Sequence, residues 1–159
     1  MACPYFVPRE ILNDGSWPHP ARLPLGAGWT GECCAPEHEA PQDIAMGGTP
    51  SSPVPAGLAT VPVLTLIRDF CNLGYATNCP HLPRDRDWDA VRFCVTSAVA
   101  EQITLAYACE RDYAPIDHGT MTYDLRSEAW RERPGDPRIT RLAASYVQAY
   151  RVRQRGALI

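Results

Sequence analysis

Residues 90–98, Ala-Val-Arg-Phe-Cys-Val-Thr-Ser-Ala, and residues 102–109, Gln-Ile-Thr-Leu-Ala-Tyr-Ala-Cys, set the fold class. Val91, Phe93 and Val95 alternate with Arg92, Cys94 and Thr96, and Ile103, Leu105, Tyr107 and Cys109 alternate with small or polar residues. A period of two places every second side chain on one face of a strand, and the break at residues 99–101 suits a tight turn. The two stretches therefore predict an antiparallel hairpin. Residues 120–124, after the turn-like Asp117-His118-Gly119, offer a third strand.

The period changes to helical on both sides of this hairpin. C-terminal to it, Ile139, Leu142, Ala143, Tyr146, Val147 and Tyr150 form one apolar face over residues 137–154, with Asp136 as N-cap and Pro137 in the first turn. N-terminal to it, Val63, Leu66, Ile67 and Phe70 predict a helix from near Val61, capped by Thr60 and ended by Gly74. The expected class is α+β: a small antiparallel sheet of about three strands packed with two helices.

Residues 1–60 read differently. Ten prolines, at 4, 8, 18, 20, 24, 36, 41, 50, 53 and 55, each remove a backbone donor and fix φ, which argues for irregular structure. Short apolar anchors remain at Tyr5-Phe6-Val7 and Ile11-Leu12, with Trp17, Leu23, Leu25 and Trp29 beside them. At 159 residues the chain suits a single domain, divided into an irregular Cys/Pro-rich region (1–60) and an α+β core (61–159). A loop-rich stretch of that length calls for something to pin it, and a metal centre is the expectation.

Five of the seven cysteines supply the ligands for that expectation: Cys3, Cys33, Cys34, Cys71 and Cys79. Two of them run into proline, in Cys3-Pro4 and Cys79-Pro80. No apolar run is long enough to span a membrane, and the first residues lack the pattern of a secretory signal. A cytoplasmic location follows as an expectation, and reduced thiols clustered there bind metal more often than they form disulfides. Four thiolates are the usual ligands of an iron–sulfur cluster, here expected as [4Fe–4S] and held by four of these five residues. Such a protein acts in electron transfer or as a cluster-dependent enzyme with an open iron site, for which His81, Arg84 and Arg86 are candidate substrate groups.

The alternative is Zn2+ stapling a non-catalytic interaction module, with His38 and His81 as reserve ligands. No short C-x2–4-C knuckle of the usual zinc kind is present. Cys94 and Cys109, inside the expected strands, read as small apolar groups. His19 and His118 lie beside turn residues and read as exposed, and Glu37-His38-Glu39 as a solvated loop. Asp85, Asp87 and Asp89 lack the Gly and closing Glu of a calcium loop. No phosphate-binding, dinucleotide, nucleophile-elbow or zinc-protease motif occurs.

Charge is unevenly distributed. Residues 1–130 hold 8 Arg against 16 acidic residues, a formal −8, whereas residues 131–159 hold 7 Arg against Glu132 and Asp136, a formal +5. The basic C-terminal helix is either an internal electrostatic clasp or a docking surface for an acidic redox partner. Without aromatic interleaving or a nucleic-acid module, nucleic acid is not an expected partner. The chain has no lysine, which fits a bacterial source with a GC-rich genome.

Overall fold

The computed structural model describes residues 2–12, 17, 22–35, 64–74 and 76–156. Its centre is a four-stranded antiparallel sheet in the order β3 (Ala90–Val99), β4 (Gln102–Arg111), β5 (Ala114–Asp124) and β6 (Ala129–Glu132). The hairpin pairs Ala90 with Glu110 and Val99 with Gln102, as the alternation requires. Strand β5 begins earlier than expected, so Asp117-His118-Gly119 lies within it, paired with Cys109, Ala108 and Tyr107. The turn falls instead at Asp112 and Tyr113, both with positive φ (50° and 65°), the conformation that matches the twist of a two-residue hairpin. The side chain of buried Asp89 accepts the Asp112 backbone N–H at 2.6 Å and is paired with Arg86. The sheet thus has four strands rather than about three.

One long helix, α2 (Pro137–Gly156), crosses a face of the sheet. Asp136 caps it by accepting the Arg138 N–H at 2.8 Å. Ile139, Leu142, Ala143 and Val147 are buried with Val91, Ile103, Leu105, Cys109 and Met121, and Tyr146 lies 5.7 Å from the Phe93 ring. Burial of each large apolar side chain stabilises by about 1.5–3 kcal/mol, against about 0–1 kcal/mol for an exposed ion pair. The apolar stripe therefore holds α2. Its arginines add a clasp: Arg138 meets Asp136 and Asp87, Arg151 meets Glu128, Arg153 donates to the Gly26 carbonyl, and Arg141 to the Pro4 carbonyl at 3.1 Å.

The second expected helix is much shorter. A single turn, α1 (Leu64–Leu66), runs directly into a π-helical turn over Ile67–Asn72, closed by Leu73 N–H on the Arg68 carbonyl at 3.0 Å and followed by Gly74 at φ 85°. Its expected start at Thr60–Val61 lies outside the described residues. No described helix is long and apolar enough to cross a membrane.

The N-terminal region is more regular than its prolines suggest. Strands β1 (Phe6–Ile11) and β2 (Trp29–Cys33) form a two-stranded antiparallel ribbon, and Pro8 is tolerated because a ribbon leaves one edge of each strand unpaired. Phe6, Leu25 and Trp29 are almost fully buried and join the main core. Ala2 bridges Val91, with N–H···O distances of 2.8 and 2.9 Å. The described front of the chain thus has hydrogen bonds and apolar contacts of its own. The class remains α+β, with two antiparallel sheets and one long helix among the described residues.

Asp124 ties the far end of β5 to β6. Backbone N–H groups of Ser127 and Arg126 and the Arg131 guanidinium hold its carboxyl at about 2, below the ordinary 3.8. A depressed carboxyl stabilises above its unfolded pKa, and that contribution fades as pH falls through the folded value. Asp124→Asn is expected to lower the melting temperature at pH 7, and the gap from the native protein should shrink between about pH 4 and 2. Thermal unfolding followed by circular dichroism over that range checks it.

Candidate metal centre

Cys3, Cys33, Cys71 and Cys79 come from four segments and lie near enough to act on one another electrostatically. Cys3 is buried immediately after the Ala2–Val91 bridge, and Cys33 ends β2 opposite Phe6. Cys71 is buried on the π-helical turn, and Cys79 follows a short 3-10 turn, Ala76–Asn78. The four are electrostatically coupled: charge on Cys71, Cys33 and Cys79 raises the Cys3 thiol, and Cys79 and Cys33 raise Cys71. All are free thiols.

Two of the segments use one local device. In Cys3-Pro4-Tyr5-Phe6, Phe6 N–H donates to the Cys3 carbonyl at 3.2 Å; in Cys79-Pro80-His81-Leu82, Leu82 N–H donates to the Cys79 carbonyl at 3.1 Å. Proline suits the second position of such a turn because its φ is preset and its missing N–H is not needed. The amide two residues after the cysteine then points back at sulfur: Tyr5 N–H serves Cys3, and His81 N–H, joined by Leu82 N–H, serves Cys79. Cys33 takes Ala35 N–H at the same offset. These donors favour the thiolate.

Burial opposes them and dominates. It lifts Cys3 well above the ordinary thiol value and, with the neighbouring charges, pushes Cys71 up to about 12. Four ionised sulfurs at this point are therefore unstable without a compensating positive centre.

Cys34 makes contacts of its own, although its charge also acts on Cys33. Its Sγ donates to the Tyr5 carbonyl at 3.2 Å and lies 3.9 Å from the Arg141 guanidinium. Alternation along an extended backbone separates it from Cys33. Cys109 is buried in the sheet, as a small apolar group is expected to be, whereas Cys94 is exposed on the solvent face of β3, a correction to the same reading of that residue. His38 lies outside the described residues. His81 is half-buried and contributes its backbone to Cys79. Arg86 is committed to Asp89 and to the Pro83 carbonyl at 2.8 Å, whereas Arg84 is exposed.

Asn72, which the sequence reading passed over, fixes Cys71 relative to Cys33. Its buried carboxamide accepts Trp29 N–H at 2.8 Å and donates to the carbonyls of Trp29 at 2.9 Å and Ile67 at 3.1 Å. One side chain thus serves the free edge of β2 as a strand would. Its signal in the sequence was a polar residue directly after a cysteine at the end of an apolar helical stripe.

Among the described residues, no group of three or more His, Cys, Asp or Glu side chains is placed to hold a metal ion. A lone tetrahedral ion with 2.3 Å bonds draws its sulfurs to within about 3.8 Å of one another. A polynuclear centre, with a metal atom behind each sulfur, spaces them more widely. No protein-family model, curated protein or solved structure matches the chain.

Asn72→Ala leaves the buried Trp29 N–H and carbonyl without partners, and each such group costs about 1–3 kcal/mol. Urea denaturation should show a loss of about 2–5 kcal/mol with an unchanged m-value. A loss below about 0.5 kcal/mol would show that water replaces the carboxamide.

Proposed function

We propose that this chain is an iron–sulfur protein in which Cys3, Cys33, Cys71 and Cys79 bind one [4Fe–4S] cluster and pass electrons through it. One observation supports the reading: four thiols from separate segments act on one another electrostatically, and backbone amides favour the thiolate of three of them. Amide hydrogen bonds to ligand sulfurs stabilise their charge and tune the reduction potential. The donor set is all thiolate, the chemistry that soft and iron–sulfur centres select.

Electron transfer is favoured over Lewis-acid catalysis by the number of thiols. A catalytic cluster with an open iron needs three cysteines and a vacant side, whereas here the fourth thiol belongs to the same group. Cys33 and Cys79 are half-buried while Cys3 and Cys71 are buried, so a centre bound here lies close to the surface along one side. Electrons exchange best across such a thin edge. Zn2+ on the same four sulfurs is the competing occupant, and it requires them to close to the tighter spacing of a single ion.

Anaerobic purification followed by iron, sulfide and zinc analysis decides between the two. The cluster reading expects about four iron and four sulfide per chain, with absorption near 400 nm that bleaches on reduction. Serine at Cys3, Cys33, Cys71 or Cys79 should each remove most of the iron, while Cys34→Ser should retain it. Full iron content in the first four variants, or stoichiometric zinc in the native protein, would sink the proposal.

A further inference from the structure

We propose that Arg141 tunes the thiol centre through one peptide: its guanidinium polarises the buried Pro4–Tyr5 peptide unit, strengthens the Tyr5 N–H donor on Cys3 Sγ, and so raises the centre's reduction potential. In this role Arg141 is a positioning residue, acting on the sulfur through a group that stands between them. The effect on potential rests on the iron–sulfur reading proposed above, whereas the hydrogen-bonded relay from Arg141 to Cys3 does not.

The Arg141 guanidinium, on a half-buried residue of α2, donates to the Pro4 carbonyl oxygen at 3.1 Å. That oxygen and the Tyr5 N–H are the two ends of one planar peptide, joined by resonance. The Tyr5 N–H in turn donates to the Cys3 sulfur. Its direction is set by the turn that Phe6 N–H closes on the Cys3 carbonyl at 3.2 Å. A cation at the carbonyl oxygen draws electron density toward itself and leaves the N–H more positive. Hydrogen bonds linked in series strengthen one another by about 10–30% each, and a charged donor makes the first about twice as strong as a neutral one.

Two features of the surroundings let the charge act on this peptide. Pro4 is almost fully buried, so little water screens it and the local dielectric is low. Among the described residues, no carboxylate forms an ion pair with Arg141, whereas Arg131, Arg138 and Arg151 are paired with Asp124, Asp136 and Glu128. The Arg141 charge is therefore left to act on Pro4 and on Cys34 Sγ, 3.9 Å away. The second Cys-Pro turn differs: Pro80 is exposed, and water screens its peptide. Reduction adds negative charge to a metal centre, and a cation coupled to one of its sulfurs favours the reduced form.

Arg141→Gln and Arg141→Lys in the full chain, purified anaerobically, test this. Both replacements are good helix formers, so α2 is expected to persist. With iron content unchanged, Arg141→Gln should lower the midpoint potential in a redox titration, and Arg141→Lys should restore it toward the native value. Hydrogen–deuterium exchange resolved to single residues reads the relay itself, with or without metal. The Tyr5 amide should exchange several-fold faster in Arg141→Gln, while the Phe6 amide of the same turn changes less. A native potential with full iron in Arg141→Gln overturns the proposal. Equal acceleration of the Tyr5 and Phe6 amides, or loss of the iron in that variant, overturns it too, since either makes Arg141 a structural prop. Native protein without iron refutes the iron–sulfur reading instead, and amide exchange then decides this inference by itself: native Tyr5 exchange in Arg141→Gln overturns it.

Discussion

The π-helical turn that carries Cys71 is tied to strand β2 by a single carboxamide. Asn72 holds both backbone groups of Trp29 while standing next to Cys71, so the π-helical turn and the β1–β2 ribbon cannot slide past one another. Trp29 is itself almost fully buried, which fixes the ribbon in the core from the other side. The π-helical geometry contributes by adding a residue to the turn, so that Cys71 and Asn72 are both buried at its end. A regular helix rotates each residue 100° from the last and spreads consecutive side chains over different faces. The departure from regularity is what allows two adjacent residues to serve the thiol group and the strand.

Around the centre, the chain solves one electrostatic problem with one repeated turn. Sulfurs withdrawn from water lose the solvation that a thiolate needs. Peptide amides replace part of it without adding charge, and a cysteine followed by proline aims such an amide at its own sulfur. Both Cys-Pro turns are sealed by apolar or half-buried residues, Phe6 in one case and Leu82 in the other. The amides offset only part of the burial cost, because Cys3 and Cys71 remain shifted far toward the neutral form.

The sheet and α2 were readable because their periods are long and uninterrupted: Val91 to Val95, Ile103 to Cys109 and Ile139 to Tyr150 each repeat often enough to choose between strand and helix. Strand β6 escaped because four residues are too few to show a period, and the start of β5 because Asp117, His118 and Gly119 carry turn chemistry that pairing with β4 overrides. The ribbon was hidden by Pro8, whose effect depends on which strand edge faces a partner, a property of the fold and not of the residue. The candidate ligands could be named from cysteine spacing. Choosing Cys33 over Cys34 could not be done from spacing, since the choice follows from the phase of β2 against Phe6. The stronger signal was the recurrence of Cys-Pro followed by an aromatic ring and an apolar residue, in Cys3-Pro4-Tyr5-Phe6 and Cys79-Pro80-His81-Leu82.

Arginine, as the only long basic residue of the chain, has a structural consequence along α2. A lysine ammonium is a point charge, whereas a guanidinium offers five donors in a fixed plane and can bridge several acceptors at once. Arg138 uses that plane between Asp136 and Asp87 while its face lies 4.9 Å over the Trp88 ring. Arg141 reaches the Pro4 carbonyl, and Arg153 reaches back to Gly26. These contacts fall on both sides of the ribbon's entry into the core, so the helix that seals the sheet also sets where Cys3 and Cys33 stand. Part of the charge asymmetry of the sequence is therefore paired within the molecule: Arg131, Arg138 and Arg151 meet Asp124, Asp87 and Glu128.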